Sequence, residues 1–149
     1  MISLDPDFEM LELQRRKGRA RGPAVVAVAE ALPFRDATFD ACIATLVMCE
    51  VDVPKEAARE VRRVLRAGGA LHAIDHVASG SRIIRRLQRR LAPAWHRLTA
   101  GCRIDRDTLE TWRGEGFDVK VFDDALGGVF VRYEARPSVT APTRPKSSS

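Results

Sequence analysis

Nowhere in its 149 residues does the chain carry an apolar run long enough to cross a bilayer. Met1 to Asp7 has neither the basic start nor the apolar stretch of a secretory leader. A membrane span is therefore not expected, and a cytoplasmic location is. Cysteine is scarce too: Cys42, Cys49 and Cys102 are odd in number and contain no C-x-x-C pair, which argues against a disulfide framework. Aromatic residues are only 6% of the chain and are not interleaved with its basic residues, so no specific nucleic-acid partner is expected. No internal repeat is visible.

What remains is ordinary for one compact domain, with 45% hydrophobic and 30% charged residues. Lys and Arg number 25 against 20 Asp and Glu, a modest excess of +5 carried overwhelmingly by arginine. The residues from Pro137 to Ser149 are rich in Pro, Ser and Thr without periodicity, and read as a disordered tail behind a domain of residues 1–136.

Along the chain, Ile2 to Leu4 reads as a short strand, and Asp7 as the N-cap of a helix carrying Phe8, Met10, Leu11 and Leu13. Gly22-Pro23 breaks that helix, and Ala24 to Ala29 reads as a second strand. The nearly continuous apolar run Phe39 to Val47 has the mark of a strand buried on both faces in a parallel sheet. A helix with Ala57, Val61, Val64 and Leu65 on its inner face follows, ending at Arg66-Ala67-Gly68-Gly69 in a left-handed cap. Ala70 to Val77 is the next strand. Ser81 to Leu91 and Pro93 to Leu98 read as two helical segments, and Asp105 to Gly114 as a third helix capped by Asp105. Phe117 to Phe122 and Val129 to Ala135, joined through Gly127-Gly128, form an antiparallel hairpin. The order of elements predicts a doubly wound α/β sheet with an antiparallel edge.

Three fragments stand in a telling order: Ala29-Glu30-Ala31-Leu32-Pro33-Phe34, then Phe39-Asp40, then Arg62-Arg63-Val64-Leu65-Arg66-Ala67-Gly68-Gly69. Together they resemble the type 11 branch of the class I S-adenosylmethionine-dependent methyltransferases, which have a Rossmann-like fold. Asp75-His76-Val77, Trp95 and Gly101-Cys102-Arg103-Ile104-Asp105-Arg106-Asp107-Thr108 resemble a narrower group, similar to the alkyl-thiol methyltransferases.

The resemblance implies S-adenosylmethionine as cofactor, lying across the carboxyl ends of the central strands. Asp5 corresponds to the acidic residue on the ribose hydroxyls, and Ala29 and Glu30 to the pair beside the adenine. Leu46, with the residues to Cys49, corresponds to the loop lining the methyl-donor pocket. Val28 stands where the family has an aspartate on the adenine amino group, and a valine cannot accept that bond. The family's first strand and its glycine-rich loop have no counterpart in these residues, and neither Gly68-Gly69 nor Gly127-Gly128 stands at the right place in the strand order to replace the loop. The expected sheet is therefore incomplete: the strands at Ile2–Leu4 and Ala41–Thr45 pair directly, or a partner chain or oligomer completes it, or the chain is unstable.

For chemistry, the resemblance implies methyl transfer to a small thiol or lipophilic acceptor, an in-line displacement that needs alignment in a dry site. His76, at a strand end, is the candidate catalytic residue that orients or deprotonates the acceptor, and Cys102 the candidate acceptor contact. Asp75, on the opposite strand face, is expected to be structural. The alternative is a catalytically inactive remnant or partner subunit that binds no cofactor alone. His72 and His76 share a face and could line an ion with Cys49 or Cys102, but neither spacing nor resemblance supports this, and no metal is expected. Arg82, Arg85, Arg86, Arg89 and Arg90 form a cationic arc opposite Ile83, Ile84, Leu87 and Leu91. That arc reads as a solvated face on a core-packed helix, or as a peripheral membrane contact.

Overall fold

A computed structural model describes residues 1–19, 22–99 and 101–138. Strand β1 (Ser3–Asp5) pairs in parallel with β2 (Ala24–Val26), and helix α1 (Phe8–Arg16) lies between them in sequence. Asp7 caps α1 as predicted, its Oδ1 accepting the Glu9 N–H at 2.7 Å. Only Leu11 of α1 is buried, and Phe8 is 64% exposed.

The main sheet has the order β3-β4-β6-β5, from β3 (Phe39–Thr45), β4 (Leu65–His76), β5 (Phe117–Ala125) and β6 (Phe130–Pro137). β3 and β4 are parallel and joined by α2 (Pro54–Val64), whose first turn opens on Pro54. β6 runs antiparallel to both β4 and β5. The hairpin turns through Gly127 and Gly128 at φ +69° and +80°, left-handed geometry that glycine adopts at little cost. On β4, Leu71, Ala73 and Asp75, with Val77 just after it, are buried, and His72, Ile74 and His76 alternate with them on the other face. Trp112 of α4 (Thr108–Gly114) closes the core, its ring edge-on to Phe117 at 5.0 Å.

Several boundaries differ from the sequence reading. The expected cap at Arg66–Gly69 is instead a bulge at the start of β4: Phe39 pairs with Leu65 and Ala41 with Ala70, so Arg66 to Gly69 stand opposite Asp40 alone. A Cβ at Gly69 would meet the Asp40 carbonyl oxygen at 3.0 Å, so the strands' close approach requires glycine there. The two helical segments after Ser81 are one helix, α3 (Arg82–Leu98), which continues through Pro93 and closes on Thr99 N–H donating to the Trp95 carbonyl at 3.0 Å. Asp107, not Asp105, stands at the N-cap position of α4, with its carboxylate turned to Arg85 rather than to the helix, and Asp105 lies in the turn that Arg106 N–H closes on the Arg103 carbonyl. Pro137 belongs to β6, and the next residue is held too, Ser138 N–H donating to the Gly116 carbonyl at 2.9 Å. The rest of the predicted tail lies outside the described residues.

β3 is not buried on both faces, and Ile43 is 77% exposed. The exposed positions Ala41, Ile43 and Thr45 alternate with part-buried Cys42 and Ala44, so one face of β3 is open. Among the described residues, β1–β2 and β3–β6 form separate sheets, and β1 and β3 each have one edge without a strand partner. Direct pairing of β1 with β3, one of the expected outcomes, does not occur.

Candidate functional site

The carboxyl ends of β3 and β4 meet at a turn of unusual backbone. Leu46 leaves β3 at φ +57°, where a bulky side chain is strained, while its N–H still donates to the Ile74 carbonyl at 2.8 Å. The turn is held from beneath by Asp75. That carboxylate is fully buried and accepts the Met48 N–H at 3.1 Å and the Tyr133 hydroxyl at 2.8 Å. Trp112 Nε1 in turn donates to the Tyr133 oxygen at 2.8 Å. Burial pushes the Asp75 carboxyl up to about 6, against the lowering effect of those donors. The expected structural role of Asp75 is thus given a definite form: it anchors the turn that carries Cys49.

Two residues to which the sequence reading gave no role complete the framework. Arg106 donates from one guanidinium nitrogen to the carbonyls of Met48 at 2.6 Å and Val51 at 2.7 Å, closing the turn from above. Gln88, the buried residue of α3, accepts the Ser79 N–H at 2.8 Å and donates to the carbonyls of Val77 at 2.8 Å and Ile104 at 2.6 Å. It ties α3, the exit of β4 and the loop around Cys102 together. The signal for Arg106 was its place in the Gly-Cys motif; for Gln88 there was none, since a glutamine among arginines reads as surface.

His76 ends β4 on the outward face, half-buried between Phe130 (ring centroids 5.3 Å) and Trp95 (6.1 Å). Its Nδ1 lies 3.4 Å from Cys102 Sγ. Cys102 and Cys49 are both buried and pack with Ile104, Leu46 and Ala92, and Arg103 N–H donates to the Cys49 carbonyl at 2.8 Å. The ligand atoms of Cys49, His76 and Cys102 all lie within 4.8 Å of one another. Burial lowers the His76 pKa below its ordinary value, favouring the neutral imidazole, and raises that of the Cys49 thiol, with the neighbouring Cys102 adding to the rise. His72 does not join this group; it lies 3.7 Å from Glu134, across the strand pair.

The residues expected on the cofactor are placed differently. Asp5 ends β1, half-buried, with one carboxylate oxygen accepting the Asp7 N–H at 2.9 Å. Burial, and to a smaller extent the Asp5 carboxylate, raise the Glu50 pKa. Ala29 packs against the main core. The Glu30 carboxylate accepts Val53 N–H at 3.1 Å, at the start of α2, so that oxygen is occupied. Val28 is 45% exposed and offers no acceptor. Among these residues, Asp5 keeps one carboxylate oxygen for a further donor, which is chemically compatible with a ribose hydroxyl of S-adenosylmethionine. They offer no cradle for its amino-acid end among the described residues.

The arginine arc of α3 is not as expected. Arg85 turns inward, bonding the Ser79 carbonyl at 3.0 Å and pairing with Asp107 at 2.5 Å. Of the four residues expected in the core, Ile84 is part-buried against Gly127, while Ile83 (83%), Leu87 (54%) and Leu91 (50%) are exposed, and Gln88 takes the buried position. No helix among the described residues is long and apolar enough to cross a membrane.

Parallel strands joined by a helix, an antiparallel hairpin at the edge and a cluster at the strands' carboxyl ends define a Rossmann-like α/β protein of the methyltransferase type. A crystal structure of an S-adenosylmethionine-dependent methyltransferase from Thermotoga maritima superposes with a TM-score of 0.67 at 20% identity, over 91% of this chain and 72% of that one. Residues 1–73, just under half of the chain, match the family described as a methyltransferase domain. It is 40% identical over 91 residues to the thiol S-methyltransferase TMT1A of Homo sapiens, covering 60% of this chain and 36% of that protein. It is 31% identical over 140 residues to the malonyl-[acyl-carrier protein] O-methyltransferase of Pseudescherichia vulneris, covering 87% and 53%. The chain thus spans about a third to a half of the length of these curated relatives.

Proposed function

We propose that the chain forms the acceptor side of a methyltransferase acting on a small apolar thiol. The observation that carries this reading is the placement of His76, which stands at a strand end between two aromatic rings, over two buried cysteines. The likeness to thiol S-methyltransferases supports it. The cofactor, when bound, supplies the methyl group. His76 holds the acceptor sulfur and takes its proton: Nδ1 is turned to Cys102, which leaves Nε2 for the acceptor, and a neutral imidazole is the form able to accept. Trp95, Phe130 and Leu46 exclude water and favour an apolar acceptor body. Asp5 and Ala29 hold the nucleoside of the cofactor. The unpaired edges of β1 and β3 among the described residues support a further reading of the same kind, that a partner chain or oligomer completes the sheet and holds the cofactor's amino-acid end.

Calorimetry with S-adenosylhomocysteine, with and without a small alkyl thiol, tests the reading. Weak heat that disappears in Asp5→Ala is expected, since the missing Val28 acceptor alone costs about 1–3 kcal/mol. No heat at high protein concentration would favour a non-binding partner subunit instead.

A second reading concerns where the protein works. The exposed apolar row Ile83, Leu87, Leu91 and Trp95, flanked by Arg82, Arg86, Arg89 and Arg90, has the make-up of a helix that lies on an anionic lipid surface. Co-sedimentation with vesicles containing an anionic lipid should fall sharply in Leu87→Glu; sedimentation that is absent in the unaltered chain refutes it.

A further inference from the structure

Cys49, His76 and Cys102 come from three separate parts of the chain: the turn after β3, the end of β4 and the loop after α3. Nothing in their spacing brings them together; the fold does, through Asp75, Arg106 and Gln88. All three potential ligand atoms lie within 4.8 Å of one another, and one of the separations, His76 Nδ1 to Cys102 Sγ, is 3.4 Å. Ligand atoms around a tetrahedral zinc ion, with metal–sulfur bonds near 2.3 Å and metal–nitrogen bonds near 2.0 Å, stand roughly 3.5–3.8 Å apart. The cluster is therefore within about 1 Å of a ligating arrangement. Two thiols and an imidazole also form the ligand class that soft and borderline cations select.

We propose that Cys49, His76 and Cys102 bind one thiophilic divalent cation of the zinc class, with a fourth position open toward Trp95 and Phe130. Three protein ligands with one open position is the arrangement that catalytic rather than structural zinc sites adopt. Both cysteine thiols give up their protons to solvent as the ion binds. Resting on the reading of this end of the sheet as the acceptor site, the open position takes the acceptor thiol. Its S–H bond breaks, the proton leaves to solvent, and the sulfur binds the ion as a thiolate, a change a coordinated cation brings about without a base. With the ion bound, Nδ1 of His76 is a ligand, and deprotonation of the acceptor passes from the imidazole to the ion. The second layer is present too: Asp75 and Arg106 fix the turn that carries Cys49.

Cobalt(II) titration of the full chain under reductant tests this by spectroscopy alone. One equivalent should produce an intense thiolate-to-cobalt charge-transfer band, reversed by zinc(II). Cys49→Ser, Cys102→Ser and His76→Ala should each weaken cobalt binding more than tenfold, while Cys42→Ser, which alters a thiol outside the cluster, should leave it unchanged. In the unaltered chain, zinc should protect two of the three cysteines from a thiol-modifying reagent, a readout that needs no variant to fold. Absence of the band, its survival in both Cys49→Ser and Cys102→Ser, or its loss in Cys42→Ser overturns the site. A small alkyl thiol added to the cobalt-loaded chain should shift the band. Metal binding without that shift sustains the ion site and sinks the acceptor reading. A thiol that binds the metal-free chain but no cobalt bound at all sinks the ion and spares the acceptor reading.

Discussion

The β1–α1–β2 unit and the β3–β6 body follow the same plan, parallel strands joined by a helix, yet bury their apolar residues very differently. In the first, two strands of three residues carry a helix with one buried side chain. In the second, a twelve-residue central strand is paired on both sides, and α2 alone buries Ala57, Ala58 and Val64. A helix on a two-stranded sheet has too small a platform to cover its apolar stripe, and Phe8, Met10 and Leu13 remain exposed in consequence. The same divide runs through the site. Asp5 stands on the thin unit, Ala29 and Glu30 on the strap leaving it, and His76, Cys49 and Cys102 on the well-packed body. The Cys49–His76–Cys102 cluster is thus preorganised by buried hydrogen bonds, while Asp5 and Glu30 are held by exposed ones.

Substitutions should separate the two regions. Trp112→Ala, at the centre of the body, should cost about 3–5 kcal/mol through the cavity it leaves and the Tyr133 oxygen it deprives of a donor; chemical denaturation measures this, and a cost near that of an average surface change would contradict the comparison. Arg106→Ala leaves the Met48 and Val51 carbonyls without their shared donor and should cost about 1–3 kcal/mol. It should also loosen the Cys49 turn, so cobalt affinity should fall even though no ligand is touched. Leu11→Ala should change the main unfolding transition by about 1 kcal/mol or less, because its neighbours belong to a unit that opens separately. Hydrogen exchange should show the same divide in the unaltered chain: amides of α1 should exchange through openings of much lower free energy than those of β4 and β6. Equal protection in both would join the regions into one cooperative unit.

The alternation of strand and helix, the hairpin at Gly127-Gly128 and the Asp7 cap were legible because they depend on local periodicity and on residues with special backbone freedom. The bulge at Gly68-Gly69 was misread as a helix cap, since a left-handed glycine serves either and only the pairing with Asp40 tells them apart. α3 shows the same limit from the other side. Its 3.6-residue periodicity was visible, but which stripe faced inward depended on Gln88 finding three backbone partners at once, and a buried amide that satisfies them outweighs an exposed row of leucines.

By itself the sequence determined the class of fold, the likeness to methyltransferases and the position of His76 at a strand end, each set by local pattern or by motifs short enough to read in order. Only the tertiary structure decided that the sheet divides into two, that Asp75 and Arg106 both hold the turn carrying Cys49, and that two cysteines 53 positions apart cluster with His76. Those are long-range matters of packing and buried hydrogen bonding, which depend on how elements stack and not on the spacing of residues along any one of them.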